Sequence, residues 1–226
     1  MKKKIKLNLG CGKDIKKNFI NIDFYKHPNT KVDLITDLGK KMPFKDSSVD
    51  YIYSSHLLEH LTWIEGNKLI NDCYRVLKKG GKIRILIPDF RKIFKCYIKN
   101  DFKFFKPFIN NLNNNDFKYY SAVYKNPKKI KKERKNNLPP KWHLSNKKKD
   151  KINVALRVRK YVNLIDVVDW MVHQYGEHKC LYDKISLKTV FLKIGFRSFK
   201  KVKYNYSIDA NQNARKIISI CFEVTK

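Results

Sequence analysis

The sequence predicts an α/β domain built on a mostly parallel sheet with helices packed against it. Three observations carry this. Short apolar runs recur at 5–9, 19–23, 32–37, 49–54 and 83–88, each ending on a Gly, Asp, Ser or Pro boundary. Between the fourth and fifth runs, Leu69, Ile70, Cys73, Val76 and Leu77 fall at helical spacing. The connections are short, and strands alternating with helices across short loops assemble into a parallel sheet.

The first run ends in Gly10-Cys11-Gly12, the second in Asp23 and the third in Asp37. The fourth runs into Ser54-Ser55-His56. A helix is expected from Glu65 to Lys79, with Gly80-Gly81 as its stop before the fifth strand, Ile83 to Pro88. Phe19 follows Leu9 by only ten positions, whereas a parallel crossover usually takes about a dozen residues or more, so the first helix should shrink to about a turn. Residues 91–180 break the rhythm. They hold an aromatic, Lys-rich helical stretch (Phe94, Tyr97, Phe102, Phe104, Phe105, Phe108), an Asn-rich segment at 110–115, and a charge run from Lys125 to Lys151 split by Pro139-Pro140. We read 91–180 as a largely helical, Lys-rich insertion after the fifth strand of a single domain spanning 1–226. It should form a cap on the substrate side, because loops at the carboxyl ends of strands build the site in open α/β sheets. Regular order resumes with a helix at Ser186–Ile194, stopped by Gly195, and strands near 198–206 and 216–224 complete the sheet.

Composition narrows the function classes. A 42% apolar and 13% aromatic content supplies a core, which excludes a disordered basic chain. The formal charge of +31 would draw in nucleic acid, anionic membrane or acidic small molecules. Against that, the charge is nearly all lysine, with eight arginines, and arginine is the residue preferred for planar phosphate recognition. Abundant Lys, Asn and Ile share A/T-rich codons, so much of the charge is equally readable as solvated surface. The five cysteines (Cys11, Cys73, Cys96, Cys180, Cys221) form no CxxC pair, which argues against a disulfide framework and a zinc ribbon. Met1-Lys2-Lys3-Lys4 is followed by alternation rather than an apolar stretch, and no transmembrane run appears; a soluble, cytoplasmic protein is expected.

The chemistry-bearing residues sit at strand ends. Gly10 and Gly12 let the backbone turn tightly and approach a ligand closely. Asp23 ends the second strand where a carboxylate can accept bonds from both hydroxyls of a ribose. Asp37 with Leu38 suits an adenine amino group and ring face, and Ser54-Ser55-His56 borders the same crevice. Any one of these acids alone reads as a cap or turn residue. Their recurrence at successive strand ends is what points to a nucleoside ligand. No GxGxxG is present, which counts against NAD.

The strings LNLGCG, NFINIDF, VDLITDLGKKMPFKDSSVDYIYSSHLLEHL and CYRVLKKGGKIRILIPDF resemble class I S-adenosylmethionine-dependent methyltransferases of the methyltransferase-11 type. These include small bacterial enzymes often found with sugar or cell-surface glycan genes. The resemblance covers about 5–90, recurs weakly in YGEHKCLYDKISLKTVFLKIGF, and leaves out the insertion. It implies a Rossmann-like seven-stranded sheet with the last strand antiparallel. It also implies S-adenosyl-L-methionine held by Gly10, Cys11, Gly12, Asp23, Asp37, Leu38, Ser54 and Ser55. Asn8 stands where many relatives carry an acid, which should weaken a contact to the methionine end.

A methyl transfer to a hydroxyl needs alignment and a proton acceptor. The base candidates are His178, His56 and Asp89, with His143 and His173 less constrained; a backbone-bonded histidine is the plain alternative for His178. His56-Leu57-Leu58-Glu59-His60 matches an H-x-x-E-H zinc motif, but that motif needs a continuous helix and His56 is placed at a strand end. A divalent ion on Glu59 and His60 is a minor reading beside capping roles for both, and we expect no metal. The expected activity is methylation of an oxygen on a small-molecule or glycan-type acceptor, anionic in one version. Nucleic acid is the alternative partner, suggested by the Lys125–Lys151 run near Trp142; base-amine and cytosine chemistry lack their motifs here. A basic nucleic-acid-binding protein that retains the fold is the third reading, opposed by the intact loop and acids.

Overall fold

The computed structural model describes residues 4–26, 29–111, 164–209 and 213–226. The Lys125–Lys151 run, with Pro139, Pro140, Trp142 and His143, lies outside the described residues. The chain divides into two compact units, one of Met1–Ile93 with Val172–Lys226 and one of Phe94–Met171.

The first unit carries a seven-stranded sheet: β1 Lys6–Leu9, β2 Ile20–Asp23, β3 Leu34–Ile35, β4 Val49–Ser55, β5 Leu77–Pro88, β6 Ser198–Val202 and β7 Ser219–Thr225. Its spatial order is β3-β2-β1-β4-β5-β7-β6. Strands β1 to β5 pair in parallel, and β7 runs antiparallel to both β5 and β6. This is the Rossmann-like arrangement expected, with the last strand reversed.

Alternation along the strands sorts side chains between two faces. Leu7, Leu9, Ile22, Ile52, Ile83, Ile85, Ile87, Phe222 and Val224 share one large core with residues of two helices. The first helix, α1 (Trp63–Val76), buries Leu69, Ile70, Cys73 and Val76 and starts with a capping box between Thr62 and Glu65. The other, Lys184–Ile194, buries Leu187, Val190 and Phe191 and is capped by Asp183 and closed by Gly195 at φ 114°. The opposite face is polar and aromatic. Tyr53, Leu86 and Cys221 form a small cluster there with Phe19, Tyr51 and Tyr204. Beside them, Arg84 makes a bidentate, buried pair with Asp209 at 2.8 and 2.5 Å.

Four expectations are corrected. The helix stops at Val76 rather than Lys79, and β5 begins at Leu77, so Gly80-Gly81 lies inside the strand instead of ending the helix. Leu77 is fully buried and pairs with Val49, which draws the chain into the sheet early. Gly80, at φ 76°, then makes the irregularity in that strand, and its amide donates to the Lys226 carbonyl. The third strand shrinks to Leu34–Ile35, and the sixth ends at Val202. The β1–β2 crossover contains no helix at all, only turns. Asparagines hold it instead. Asn8 Nδ2 donates to the Asp14 carbonyl (2.8 Å) and to Asn21 Oδ1 (2.9 Å), and Asn21 Oδ1 also accepts from the Lys16 amide (2.8 Å). Asn8 and Asn21 are buried, and this network takes over the backbone satisfaction a helix would provide.

The remaining helices are α2 (Phe90–Ile98), α3 (Phe102–Asn111), α4 (Leu164–His173), α5 (Lys184–Ile194, described above) and α6 (Asn213–Ile218). In the second unit, Phe104, Phe105 and Phe108 of α3 are buried with their rings in contact, as the aromatic helical stretch anticipated. No described helix is long and apolar enough to cross a membrane.

Candidate functional site

Parallel register brings the predicted loops to one edge of the sheet. Leu9 pairs with both Ile22 and Ser54, so the segments after β1, β2 and β4 leave the sheet side by side. Gly10 (φ 63°) and Gly12 (φ 51°) both take the left-handed backbone that favours glycine. At Gly10 a Cβ would also lie 2.9 Å from Leu57 Cδ1, so the first loop is pressed against the one after β4.

Asp23 is buried and reaches across to the glycine loop. Its Oδ2 accepts from the Gly12 amide at 2.6 Å and its Oδ1 from the Phe24 amide at 2.7 Å. The Tyr25 amide adds a longer bond to Oδ1 at 3.5 Å, so of the roughly four acceptor positions of a carboxylate about one or two stay open for hydroxyls. Asp37 accepts from the Gly39 amide through Oδ1 at 2.9 Å, and its half-exposed side chain keeps Oδ2 3.8 Å from Lys40. These acceptor carboxylates fit a nucleoside with a vicinal diol and an exocyclic amine. Leu38 is buried in the large core. Cys11 is buried too; burial, reinforced by the Asp23 charge, pushes its thiol up to about 12, so it offers backbone rather than a nucleophile. Ser54 and Ser55 are buried, and Ser55 Oγ accepts from Arg215 of α6 at 3.1 Å. Asn8, engaged with Asp14 and Asn21, braces the glycine loop from below.

His56 sits just past β4 in the left-handed region (φ 53°), a conformation that bulky residues adopt only when their surroundings force it. Its Nδ1 lies 3.1 Å from Glu59 Oε1 and its Nε2 2.7 Å from Ser219 Oγ. Glu59 belongs to a 3-10 turn, Leu58–His60, and is 1% exposed, so it does not cap a helix as the plain reading had it. Burial would raise its carboxyl, but the contact with His56 and the imidazoles around it outweigh this and keep it ionised. His178 is fixed by Nδ1 against the Val172 carbonyl at 3.1 Å, and its Nε2 is buried with no hydrogen-bond partner among the described residues. Burial drives its pKa down to about 4, so the ring is neutral. Asp89 accepts from the Lys92 amide at 3.1 Å and so caps α2. The structure thus groups Gly10, Gly12, Asp23 and the Ser54–His56 segment. It brings His178 beside His60, ring centroids 5.0 Å apart. Sequence reasoning missed Ser219 and Arg215, which approach from the far end of the chain and carry no local signal.

An open depression of about 940 Å³ lies elsewhere. It is lined by Lys4, Lys6, Phe19, Tyr51, Lys82 and Tyr206, where the helix-free crossover leaves the polar face of the sheet uncovered.

Sheet order and strand pairing together define a Rossmann-like fold class. Residues 7–85 match the family model described as a methyltransferase domain, and this supports S-adenosylmethionine as the cofactor. An uncharacterized protein of Methanocaldococcus jannaschii is 34% identical over 87 residues, 37% of this chain. The chain spans only 37% of that relative's length. Among solved structures, a SAM-dependent methyltransferase from Archaeoglobus fulgidus is 14% identical over 100% of this chain and 87% of its own, with a TM-score of 0.50. A SAM-dependent methyltransferase from Thermotoga maritima, described as a possible histamine N-methyltransferase, is 13% identical over 100% and 83%, with a TM-score of 0.46. At such identities the likeness concerns the fold. The comparisons do not support the link to glycan synthesis that the resemblance implied.

Proposed function

We propose that this chain is an S-adenosylmethionine-dependent methyltransferase acting on an oxygen of a small-molecule or glycan-type acceptor, which the charge of +31 favours being anionic. The observation that carries the reading is the buried Asp23 joined to the Gly12 amide at 2.6 Å, at the edge where His56 is also held. Bound there, the cofactor supplies a methyl carbon activated by its sulfonium leaving group. The protein's own tasks are binding, alignment and proton removal. Asp23 accepts from the ribose hydroxyls, Asp37 from the adenine amine, and the Gly10–Gly12 backbone permits close approach.

Of the three base candidates, the geometry favours His56. Glu59 beside Nδ1 fixes the tautomer that leaves Nε2 as the acceptor, and Ser219 Oγ, 2.7 Å away, relays the acceptor proton to it. His178 is the weaker base, since its pKa lies near 4 and its free nitrogen is sealed from solvent. Asp89 is occupied in capping. The test is S-adenosylhomocysteine formation with panels of hydroxyl, amine and nucleic-acid acceptors. Turnover with hydroxyl acceptors is expected; turnover with amines or RNA, and none with hydroxyls, contradicts the proposal.

A further inference from the structure

Glu59, His60 and His178 present one ligand atom each, all within 4.8 Å of one another. The turn that carries Glu59 and His60 is tied to the segment that carries His178. The Glu59 carbonyl accepts from the Lys179 amide at 2.7 Å and the Cys180 amide at 3.2 Å. Two stretches more than a hundred positions apart are thereby locked side by side.

Two of the three side chains share an unusual condition. The Glu59 carboxylate is 1% exposed, and its Oε2 has no hydrogen-bond partner among the described residues. Its Oε1 has only the 3.1 Å contact with His56 Nδ1. Burying an ionised carboxylate this incompletely satisfied is strongly unfavourable unless a further partner meets it. His178 gives its Nδ1 proton to the Val172 carbonyl at 3.1 Å, so its buried Nε2 bears a lone pair with no donor facing it. A neutral imidazole whose distal N–H is anchored on a carbonyl is how a metal-ligating histidine is oriented. His60 places its ring edge-on against His178 at 5.0 Å. An ion pair between Glu59 and His56 explains part of this, but it leaves Glu59 Oε2 and His178 Nε2 unanswered.

We propose that Glu59, His60 and His178 form a site for a divalent transition-metal ion of the zinc class. Two imidazoles and a carboxylate are a donor set suited to Zn²⁺ and its borderline neighbours Mn²⁺, Fe²⁺ and Co²⁺. Bonds of about 2.1 Å in a tetrahedron bring ligand atoms to about 3.4 Å, so binding draws the three side chains inward by roughly an ångström. His56 then serves as the outer partner that orients the carboxylate. Three protein ligands leave a coordination position open, the arrangement of sites that bind an exchangeable oxygen. Assigning that position to the acceptor oxygen rests on the oxygen-methylation reading; ion binding itself does not.

The test uses the full chain without an affinity tag, stripped by chelator and titrated with Co²⁺ and Zn²⁺ in the absence of S-adenosylmethionine. Visible absorption and calorimetry give stoichiometry and affinity. One ion per chain is expected, bound at least about 100-fold more weakly in His60→Ala and Glu59→Gln. His60 is only partly buried, so its variant tests the site even if the Glu59 variant fails to fold. No stoichiometric binding by the wild-type chain, or wild-type affinity in folded His60→Ala, overturns the site. Cofactor affinity measured on the same samples is read separately, so loss of the metal site and failure of the methyltransferase reading are distinguishable.

Discussion

The Gly12 amide donates to Asp23 Oδ2 at 2.6 Å, joining the glycine loop of β1 to the end of β2 before any ligand arrives. The same carboxylate therefore shapes the loop and, on the proposed function, faces the ligand. Asp23→Ala removes both roles and should weaken S-adenosylmethionine binding by at least about 100-fold, as expected for losing bonds to a charged group worth about 1.5–3 kcal/mol each. Asp23→Asn keeps one acceptor oxygen and should lose less, with thermal stability closer to wild type. Calorimetry and melting curves on the two variants separate the roles; equal losses of affinity would argue against a ribose contact.

His56 lies between Glu59 and Ser219, at 3.1 and 2.7 Å. His56→Gln should lower turnover by about 10²–10⁴-fold, the usual contribution of general base catalysis, while S-adenosylmethionine affinity stays within a few-fold. Ser219→Ala should lower turnover less. Unchanged turnover in His56→Gln with a hydroxyl acceptor removes the residue from proton transfer.

Arg84 and Asp209 are each 3% exposed and pair through two bonds on the polar face of the sheet. Arg84 also donates to the Lys203 carbonyl at 2.8 Å, so the pair pins the segment after β6. Arg84→Met leaves Asp209 charged and buried and should cost about 3–5 kcal/mol, whereas Arg84→Met with Asp209→Leu should cost markedly less. Denaturant unfolding of the single and double variants reads the difference.

Asp33 accepts from both the amide and the side-chain nitrogen of Asn21, at 2.8 and 2.9 Å. These bonds, the backbone one first, lower its pKa below 3.8. A carboxyl depressed in the fold stabilises fully above its unfolded pKa, and that contribution disappears as pH falls through the folded value. The link to Asn21, and with it the helix-free crossover, should therefore hold from neutral pH to about 4 and weaken below it. Asp33→Asn should flatten this part of the stability–pH curve; an unchanged acid limb would show that Asp33 contributes nothing there.

Much of the fold was legible because period-two apolar runs and helical spacing report burial directly. Strands β1, β2 and β4, helix α1 and the helix closed by Gly195 fall where their patterns placed them, within a few residues, and β5 ends at Pro88 as expected. Gly80-Gly81 misled because a glycine pair marks a break in direction, not which element breaks; Leu77, buried against Val49, decided that the strand begins first. The short crossover was legible as a deficit of residues, but its remedy was not. Asn8 and Asn21 act through a cross-strand contact between neighbouring positions that a linear pattern does not reveal. The glycines and acids proposed for the ligand could be singled out because they follow consecutive strands. Glu59 looked like a surface or capping acid, since nothing local announces that the Lys179 and Cys180 amides close over its turn.

The most direct test of the central claim is calorimetry of S-adenosylmethionine, S-adenosylhomocysteine and NAD against the wild-type chain. One S-adenosylmethionine per chain, comparable binding of S-adenosylhomocysteine and no heat with NAD are predicted. A folded chain that binds neither sulfur nucleoside, or binds NAD in their place, would contradict the assignment of the Gly10–Asp23 crevice.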